Sequence, residues 1–128
     1  MGRQLTRLAD VMSEREWQEQ VIDVAHMHGW MVAHFRRVTI KNGGHTTPVQ
    51  ADGAGYPDLT MAHPVGGVIF VELKAAKGRL TEEQKRWRDQ LQAAGARWYV
   101  WKPRDWNTVV GVLSGTADTS SSSARVGG

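Results

Sequence analysis

The sequence predicts a single α/β domain, in which a mixed β-sheet is flanked by helices in the order α-β-β-β-α-β-α. Two stretches with apolar residues at helical spacing each begin with a capping box, which is a signature of a helix N-terminus. Short apolar stretches bounded by glycine and proline lie between them and are typical of strands. Near the end, a strand, a helix and another strand follow each other, and this succession requires at least one parallel strand pair.

The first helix is predicted to begin after Ser13 and to end near His28. Ser13 and Glu16 have the spacing of a capping box, in which each side chain accepts a hydrogen bond from the other residue's backbone amide. Gly29 suits the left-handed conformation that ends many helices. The inward side of this helix reads Trp17, Val21, Val24, Ala25 and His28.

Three predicted strands follow this helix. The first spans Trp30–Phe35, and a long segment over residues 38–55 separates it from the second, Asp58–Ala62. A proline and two glycines form the turn before the third strand, Val68–Lys74. Loops as long as the 38–55 segment are uncommon in compact domains and are often functional or disordered. We therefore expect a loop or an irregular hairpin there.

A second capping box, Thr81 with Gln84, predicts a helix that Gly95 ends. The strand Arg97–Trp101 and a short helix capped by Asp105 complete the predicted domain. The strand–helix–strand succession at this end is the one that implies a parallel pair of strands.

The chain has 128 residues, of which 41% are hydrophobic, and this suits one domain with a real core. We expect the domain to span residues 13–114, between a flexible N-terminus over residues 1–12 and a disordered, Ser/Gly-rich tail over residues 115–128. The absence of cysteine excludes disulfides, thiolate zinc sites and a cysteine nucleophile. The net charge of +3 suits a polyanionic partner, since Lys and Arg displace the counterions of phosphates.

No apolar run approaches the roughly 20 residues that cross a bilayer, and the N-terminus lacks the apolar stretch of a secretory signal. We therefore expect a cytoplasmic protein, of a bacterial or phage-infected cell, with no membrane partner.

The charged end of the third strand carries the chemistry. Glu72 and Lys74 are two residues apart, so their side chains leave one face of the strand, while Val71 and Leu73 point to the apolar face. Charged groups there are costly unless they are exposed or paired. Asp58 begins the preceding strand, and a hairpin between the two strands can bring it beside Glu72.

Two neighbouring carboxylates repel each other unless a divalent cation lies between them. Mg²⁺ prefers hard oxygen ligands and usually keeps several waters. The ammonium group of Lys74 can orient an attacking water or stabilise charge on a phosphate. Together, these groups indicate metal-assisted hydrolysis of a phosphodiester.

These residues also resemble a known signature. Pro57-Asp58, thirteen residues, and then Glu72-Leu73-Lys74 resemble the PD-(D/E)xK nuclease motif, and more specifically the VRR-NUC (virus-type replication–repair nuclease) family. The resemblance covers roughly residues 13–113. Its matching positions are Gly55–Leu59, Phe70–Lys74, Gly78–Thr81, Gln84 and Gly95, and Glu14, Gln18 and Gly29-Trp30 on and after the first helix.

The resemblance implies a restriction-endonuclease-like fold and a set of roles. Asp58 and Glu72 are similar to the metal ligands, with Leu73 as a further candidate ligand, and Lys74 is similar to the catalytic lysine. Gln84 is similar to the family's helix glutamine near the active site, although it could also serve only as the capping glutamine.

The family also uses a glutamate of the first helix as a catalytic residue and metal ligand, and Glu14 and Glu16 are the two candidates. Glu14 heads the inward side of the helix. Glu16 lies about 200° around the helix from it, at ~100° a residue, and already serves in the capping box. We therefore choose Glu14, although a helix N-terminus also favours acids for its dipole alone. Gln18 lies one turn beyond Glu14.

Polar and basic residues around this constellation are candidates for contact with the substrate. Ordinary solvated charge is the alternative interpretation, and phosphate contacts of this kind would not read base sequence. The candidates are Gln18, His34, Arg36, Arg37, Lys41, Lys77 and Arg79.

The sequence thus predicts a DNA endonuclease that uses Mg²⁺, for which Mn²⁺ can substitute. The resemblance implies cutting of branched, flapped or junction DNA, by a homodimer similar to Holliday-junction resolvases, because a symmetric junction needs two cuts. Two alternatives stay open: an inactive nucleic-acid-binding or assembly protein on a nuclease fold, and a sequence-specific restriction-type enzyme.

Overall fold

A computed structural model describes residues 11–35, 38–39, 45–46 and 51–116. The elements in chain order are α1 (Glu14–Met27), β1 (Met31–His34), β2 (Val38–Thr39), β3 (His45–Thr46), β4 (Leu59–His63), β5 (Gly67–Leu73), α2 (Glu82–Ala93), β6 (Arg97–Trp101), a 3₁₀ turn (Pro103–Asp105) and α3 (Trp106–Ser114). The predicted tail beyond residue 116 and the first ten residues of the predicted flexible N-terminus lie outside the described residues. Met12, near that boundary, packs partly buried against the core.

The main sheet has four strands in the order β1-β4-β5-β6. β4 pairs antiparallel with both β1 and β5, whereas β5 and β6 are parallel. α2 makes the crossover that the parallel pair requires. The predicted mixed sheet with flanking helices is therefore confirmed. The segment between β1 and β4 contains a separate antiparallel pair, β2 with β3.

Both predicted capping boxes are present. Ser13 Oγ accepts from the amide of Glu16 at 3.1 Å, and Glu16 Oε1 accepts from the amide of Ser13 at 3.0 Å. Thr81 and Gln84 make the same reciprocal pair at 3.1 and 2.9 Å. Local hydrogen bonds therefore fix the first turns of α1 and α2, and these turns lie beside the candidate site described below.

The hydrophobic core lies on one face of the sheet, under α1 and α3. Two tryptophans tie distant elements together there: the indole N–H of Trp17 donates to the carbonyl of Trp101 at 3.0 Å, and that of Trp30 donates to the carbonyl of Leu113 at 2.9 Å. No helix in the described part of the chain has the length and apolar character needed to span a membrane. The buried core consists of Trp17, Val21, Ala25, Trp30, Leu59, Met61, Ile69, Val71, Leu73, Trp101, Val109 and Leu113.

The opposite face of the sheet is less completely buried. It is approached by α2, which packs against β6 and buries none of its own residues completely. A short stretch that we call the approach segment, residues 51–57, leads into β4 on this side. Gly55 in this segment has φ +83°, and a Cβ added there would lie 2.4 Å from the carbonyl carbon of Glu83. The backbone of the approach segment therefore packs directly against the first turn of α2.

Gly55→Ala is expected to lower the free energy of unfolding more than Gly95→Ala does. Both glycines have φ near +84°, but a Cβ at Gly95 meets nothing within 4 Å. Gly95→Ala should therefore cost only the left-handed backbone penalty, roughly 1–2 kcal/mol. Gly55→Ala must in addition displace α2. Urea unfolding of the two variants measures the difference, and equal losses would contradict the close packing at Gly55.

Candidate active site

Asp58 and Glu72 meet where β4 begins and β5 ends. Leu59 is opposite Val71 in the antiparallel ladder, and continuing this register by one residue places Asp58 opposite Glu72. Asp58 Oδ2 accepts a hydrogen bond from the amide of Leu73 at 2.8 Å, so its carboxyl is held against the end of β5. The hairpin proximity that the sequence predicted for the two carboxyls is therefore present.

Glu72 is the buried charged residue of the described structure, with 1% of its surface exposed. Its Oε1 accepts from Gln84 Nε2 at 3.2 Å. The Oε1 atom of Gln84 simultaneously accepts from the amide of Thr81 at 2.9 Å. Gln84 thus caps α2 with its amide oxygen and contacts Glu72 with its amide nitrogen, and its role in catalysis stays a prediction.

The environment of Glu72 favours its protonated form. Burial, which is the largest cause, and the adjacent Asp58 carboxyl raise the pKa of Glu72 from its ordinary value near 4.5 to about 9. Glu14 acts in the same direction, and Lys74 opposes it. The charges of Lys74 and Glu14 therefore both affect the pKa of the Glu72 carboxyl.

The second carboxyl oxygen of Glu72, Oε2, is buried and has no hydrogen-bond partner among the described residues. A buried polar atom without a partner is costly, and a charged one more so. A cation at this oxygen would supply the missing interaction. The arrangement thus fits a metal ion better than it fits an ordinary surface ion pair between Glu72 and Lys74.

Within the described residues, no three or more His, Asp or Glu side chains form a group that could hold a metal by themselves. The donor set is instead the Asp58–Glu72 pair. This set suits Mg²⁺, which commonly binds through one or two carboxylates together with waters and substrate phosphates. Glu14 and Leu73 stay predictions as additional ligands.

The predicted substrate contacts fall into three groups. Gln18 Nε2 and His34 Nδ1 are 3.3 Å apart, and His34 is opposite Leu59, so this pair lies beside the start of β4, which directly follows Asp58. Lys77 and Arg79 are exposed in the stretch that follows β5. The other three candidates, Arg36, Arg37 and Lys41, lie outside the described residues.

The sequence reasoning missed two aromatic residues that support the site. Tyr56 precedes Pro57-Asp58, and its ring contacts Trp87 of α2 with centroids 5.0 Å apart. The Trp87 indole N–H donates to the carbonyl of Asp52 at 2.9 Å. Trp87 lies three residues after Gln84 on the same side of α2, and this spacing is the signal in the sequence that could have pointed to it.

Glu72→Gln is expected to make the stability of the metal-free protein less sensitive to pH. Because the folded-state pKa of Glu72 is raised, the native state holds an extra proton between about pH 4.5 and 9. Its contribution to stability is fully present below pH 4.5 and is lost as the pH rises through 9. Wild-type Tm in EDTA should therefore fall more between pH 5 and 9 than that of the variant.

Glu83→Gln, which changes an exposed carboxyl on the same helix, is the matched control and should follow the wild type. A Glu72→Gln variant whose Tm falls as steeply as that of the wild type would show that this carboxyl is not buried as described.

Comparison with protein families gives one match. The family model for the VRR-NUC domain matches residues 10–105, which is more than half of the chain. Neither the curated proteins nor the solved structures contain a match. The matched range includes α1, the β4–β5 hairpin with Asp58 and Glu72, α2 and β6. The chain therefore belongs to the VRR-NUC family, and its function is of the nuclease type.

Proposed function

We propose that this protein is a divalent-metal-dependent DNA endonuclease that works with Mg²⁺ and accepts Mn²⁺ in its place. The observation that carries the proposal is the Glu72 carboxyl. It is buried opposite Asp58, and one of its oxygens has no partner among the described residues. A fold gains nothing in stability from such a group unless it is compensated, and a bound cation compensates it.

Each site residue has a definite task in this proposal. Asp58 and Glu72 hold the cation, assisted by Glu14 and Leu73. Bound Mg²⁺ supplies water activation and charge neutralisation at the phosphate. Lys74 orients the attacking water or stabilises the negative charge that develops on the phosphate. Gln84 fixes the orientation of the Glu72 carboxyl through its hydrogen bond to Oε1.

Charge is distributed unevenly between the two ends of the sheet. Residues 74–80, which follow β5, contain three cationic residues and no acid. Lys102, which follows β6, donates from Nζ to the carbonyl of Ala76 at 3.2 Å, so the two segments form one surface. The loops at the opposite end, residues 64–66 and 94–96, contain no charged residue, and Arg97 donates to the carbonyl of Gly66 there at 2.6 Å. This asymmetry supports an approach of DNA from the Glu72 end.

Lys77 and Arg79, both exposed on this surface, are proposed as phosphate contacts. Lys77→Ala and Arg79→Ala should each weaken DNA binding in EDTA and lower the slope of log K against log salt concentration by about 1. Arg88→Ala is the control, because Arg88 Nε already lies 2.9 Å from Asp89 Oδ1. An unchanged slope in both test variants would remove this surface from the proposal and leave the metal site intact.

The DNA substrate is proposed to be branched: a flap or a four-way junction. A single domain of this size holds one site, and a symmetric junction requires two cuts, so the active form is proposed to be a homodimer. Paired incisions across a four-way junction are the product expected of a dimer.

Lys74→Ala is expected to reduce cleavage about 10²–10³-fold, which is typical for the loss of one electrostatic stabiliser. The assay compares linear duplex, flapped and four-way-junction DNA with Mg²⁺, Mn²⁺ or EDTA. Lys85→Ala should cut like the wild type, since Lys85 is an exposed lysine paired with Glu82 at 3.5 Å. A wild type that cuts no DNA with either cation would overturn the proposed endonuclease activity. An active Lys74→Ala variant would overturn only the assignment of Lys74 to the site.

A further inference from the structure

The position of Asp58 depends on the approach segment, residues 51–57, because Asp58 directly follows it and precedes the first residue of β4. A turn within the segment brings the amide of Tyr56 to the carbonyl of Gly53 at 3.1 Å. The Trp87 indole N–H reaches from α2 to the carbonyl of Asp52 at 2.9 Å, across 35 residues of chain. The segment is therefore attached to α2 at a point outside its own turn.

Tyr56 attaches the same segment to the sheet. Its ring contacts Phe35 and Phe70 edge-on, with centroids 5.5 and 6.4 Å apart. Its hydroxyl is 2.9 Å from Thr60 Oγ1 on β4. From the side of α2, the Trp87 ring packs edge-on against the Tyr56 ring, with centroids 5.0 Å apart. The residue two before Asp58 is thus held from the sheet and from α2 together.

The same helix also holds the second carboxyl. Gln84, three residues before Trp87, donates to Glu72 Oε1 at 3.2 Å. Residues three apart lie on one face of a helix, so one face of α2 reaches Glu72 through Gln84 and the approach to Asp58 through Trp87. The amide of Leu73 also holds the Asp58 carboxyl, so Trp87 acts on Asp58 only through the backbone of the approach segment, whereas Gln84 contacts Glu72 directly.

We propose that Trp87 is a positioning residue, which acts through the Asp52 carbonyl and Tyr56 to set the Asp58 carboxyl relative to Glu72. The inference rests on the proposed function, because it concerns the cation that these two carboxyls would share. Mg²⁺ demands near-ideal geometry, so a small displacement of one carboxyl lowers the affinity of the pair for the ion. Binding of DNA by the basic surface after β5 does not depend on this placement.

The test compares Trp87→Phe with Trp98→Phe. Both replacements keep an aromatic ring and remove an indole N–H, but the N–H of Trp98 is buried without a hydrogen-bond partner among the described residues. Trp87→Phe should raise the Mg²⁺ concentration for half-maximal cleavage about tenfold or more, the usual cost of losing a group that orients a metal ligand. The KM for DNA at saturating Mg²⁺ should stay that of the wild type, as should both quantities in Trp98→Phe.

A second readout does not require cleavage. The rise in Tm that Mg²⁺ or Mn²⁺ produces in the protein alone should be smaller in Trp87→Phe than in the wild type, and unchanged in Trp98→Phe. If Trp87→Phe does not fold, Trp87→Tyr tests the same attachment, since it also keeps an aromatic ring and removes the indole N–H that donates to the carbonyl of Asp52. That variant should show the same shifts in cation requirement and Tm.

The outcomes separate the two proposals. An active wild type together with an unchanged cation requirement and Tm shift in Trp87→Phe, or in Trp87→Tyr if that variant is the one used, would overturn the positioning role alone. A raised KM for DNA with an unaltered cation requirement would overturn it as well. A wild type that cleaves no DNA would overturn the proposed function, and the cation-induced Tm shift would then decide whether Trp87 positions the carboxyl pair.

Discussion

The structure is arranged around one group whose burial is energetically costly, the carboxyl of Glu72. This carboxyl lies at the end of a central strand and is almost completely removed from water. Burial of an ionisable group favours its neutral form, and the nearby Asp58 carboxyl adds to this effect. Among the described residues, Gln84 donates a hydrogen bond to one oxygen of this carboxyl and Lys74 favours its charged form, whereas the hydrogen bond with the Asp58 side chain favours its neutral form. Buried ionisable groups of this kind are typical of functional sites, where a bound ligand compensates the energetic cost of burial.

The two faces of the sheet have different roles, one in stability and the other in the candidate site. One face, under α1 and α3, carries the hydrophobic core, and the tryptophans at positions 17 and 30 tie it to distant backbone carbonyls. The packing of that face stabilises the fold and offsets the energetic cost of the carboxyl that is buried on the other face. Strand alternation permits this division, because Val71 and Leu73 enter the core while Glu72 between them leaves on the opposite side.

Helix α2 contributes little to the core, yet it contacts both Glu72 and the approach segment. Its first turn packs against Gly55, its Gln84 holds Glu72, and its Trp87 holds the approach segment. Although α2 has no completely buried residue, polar and aromatic contacts to the site hold it in place. This arrangement suits a nuclease-type domain, in which ligands from separate strands must be kept in register.

The amino-acid sequence alone determined the features that depend on short spacings along the backbone. The capping boxes at Ser13 and Thr81 are i,i+3 hydrogen bonds, so they could be read directly, and the hairpin made Asp58 a neighbour of Glu72. Only the tertiary structure decided the contacts between layers. The burial of Glu72, its hydrogen bond from Gln84 and the reach of Trp87 to Asp52 depend on how α2 packs on the sheet, and no local periodicity encodes that packing.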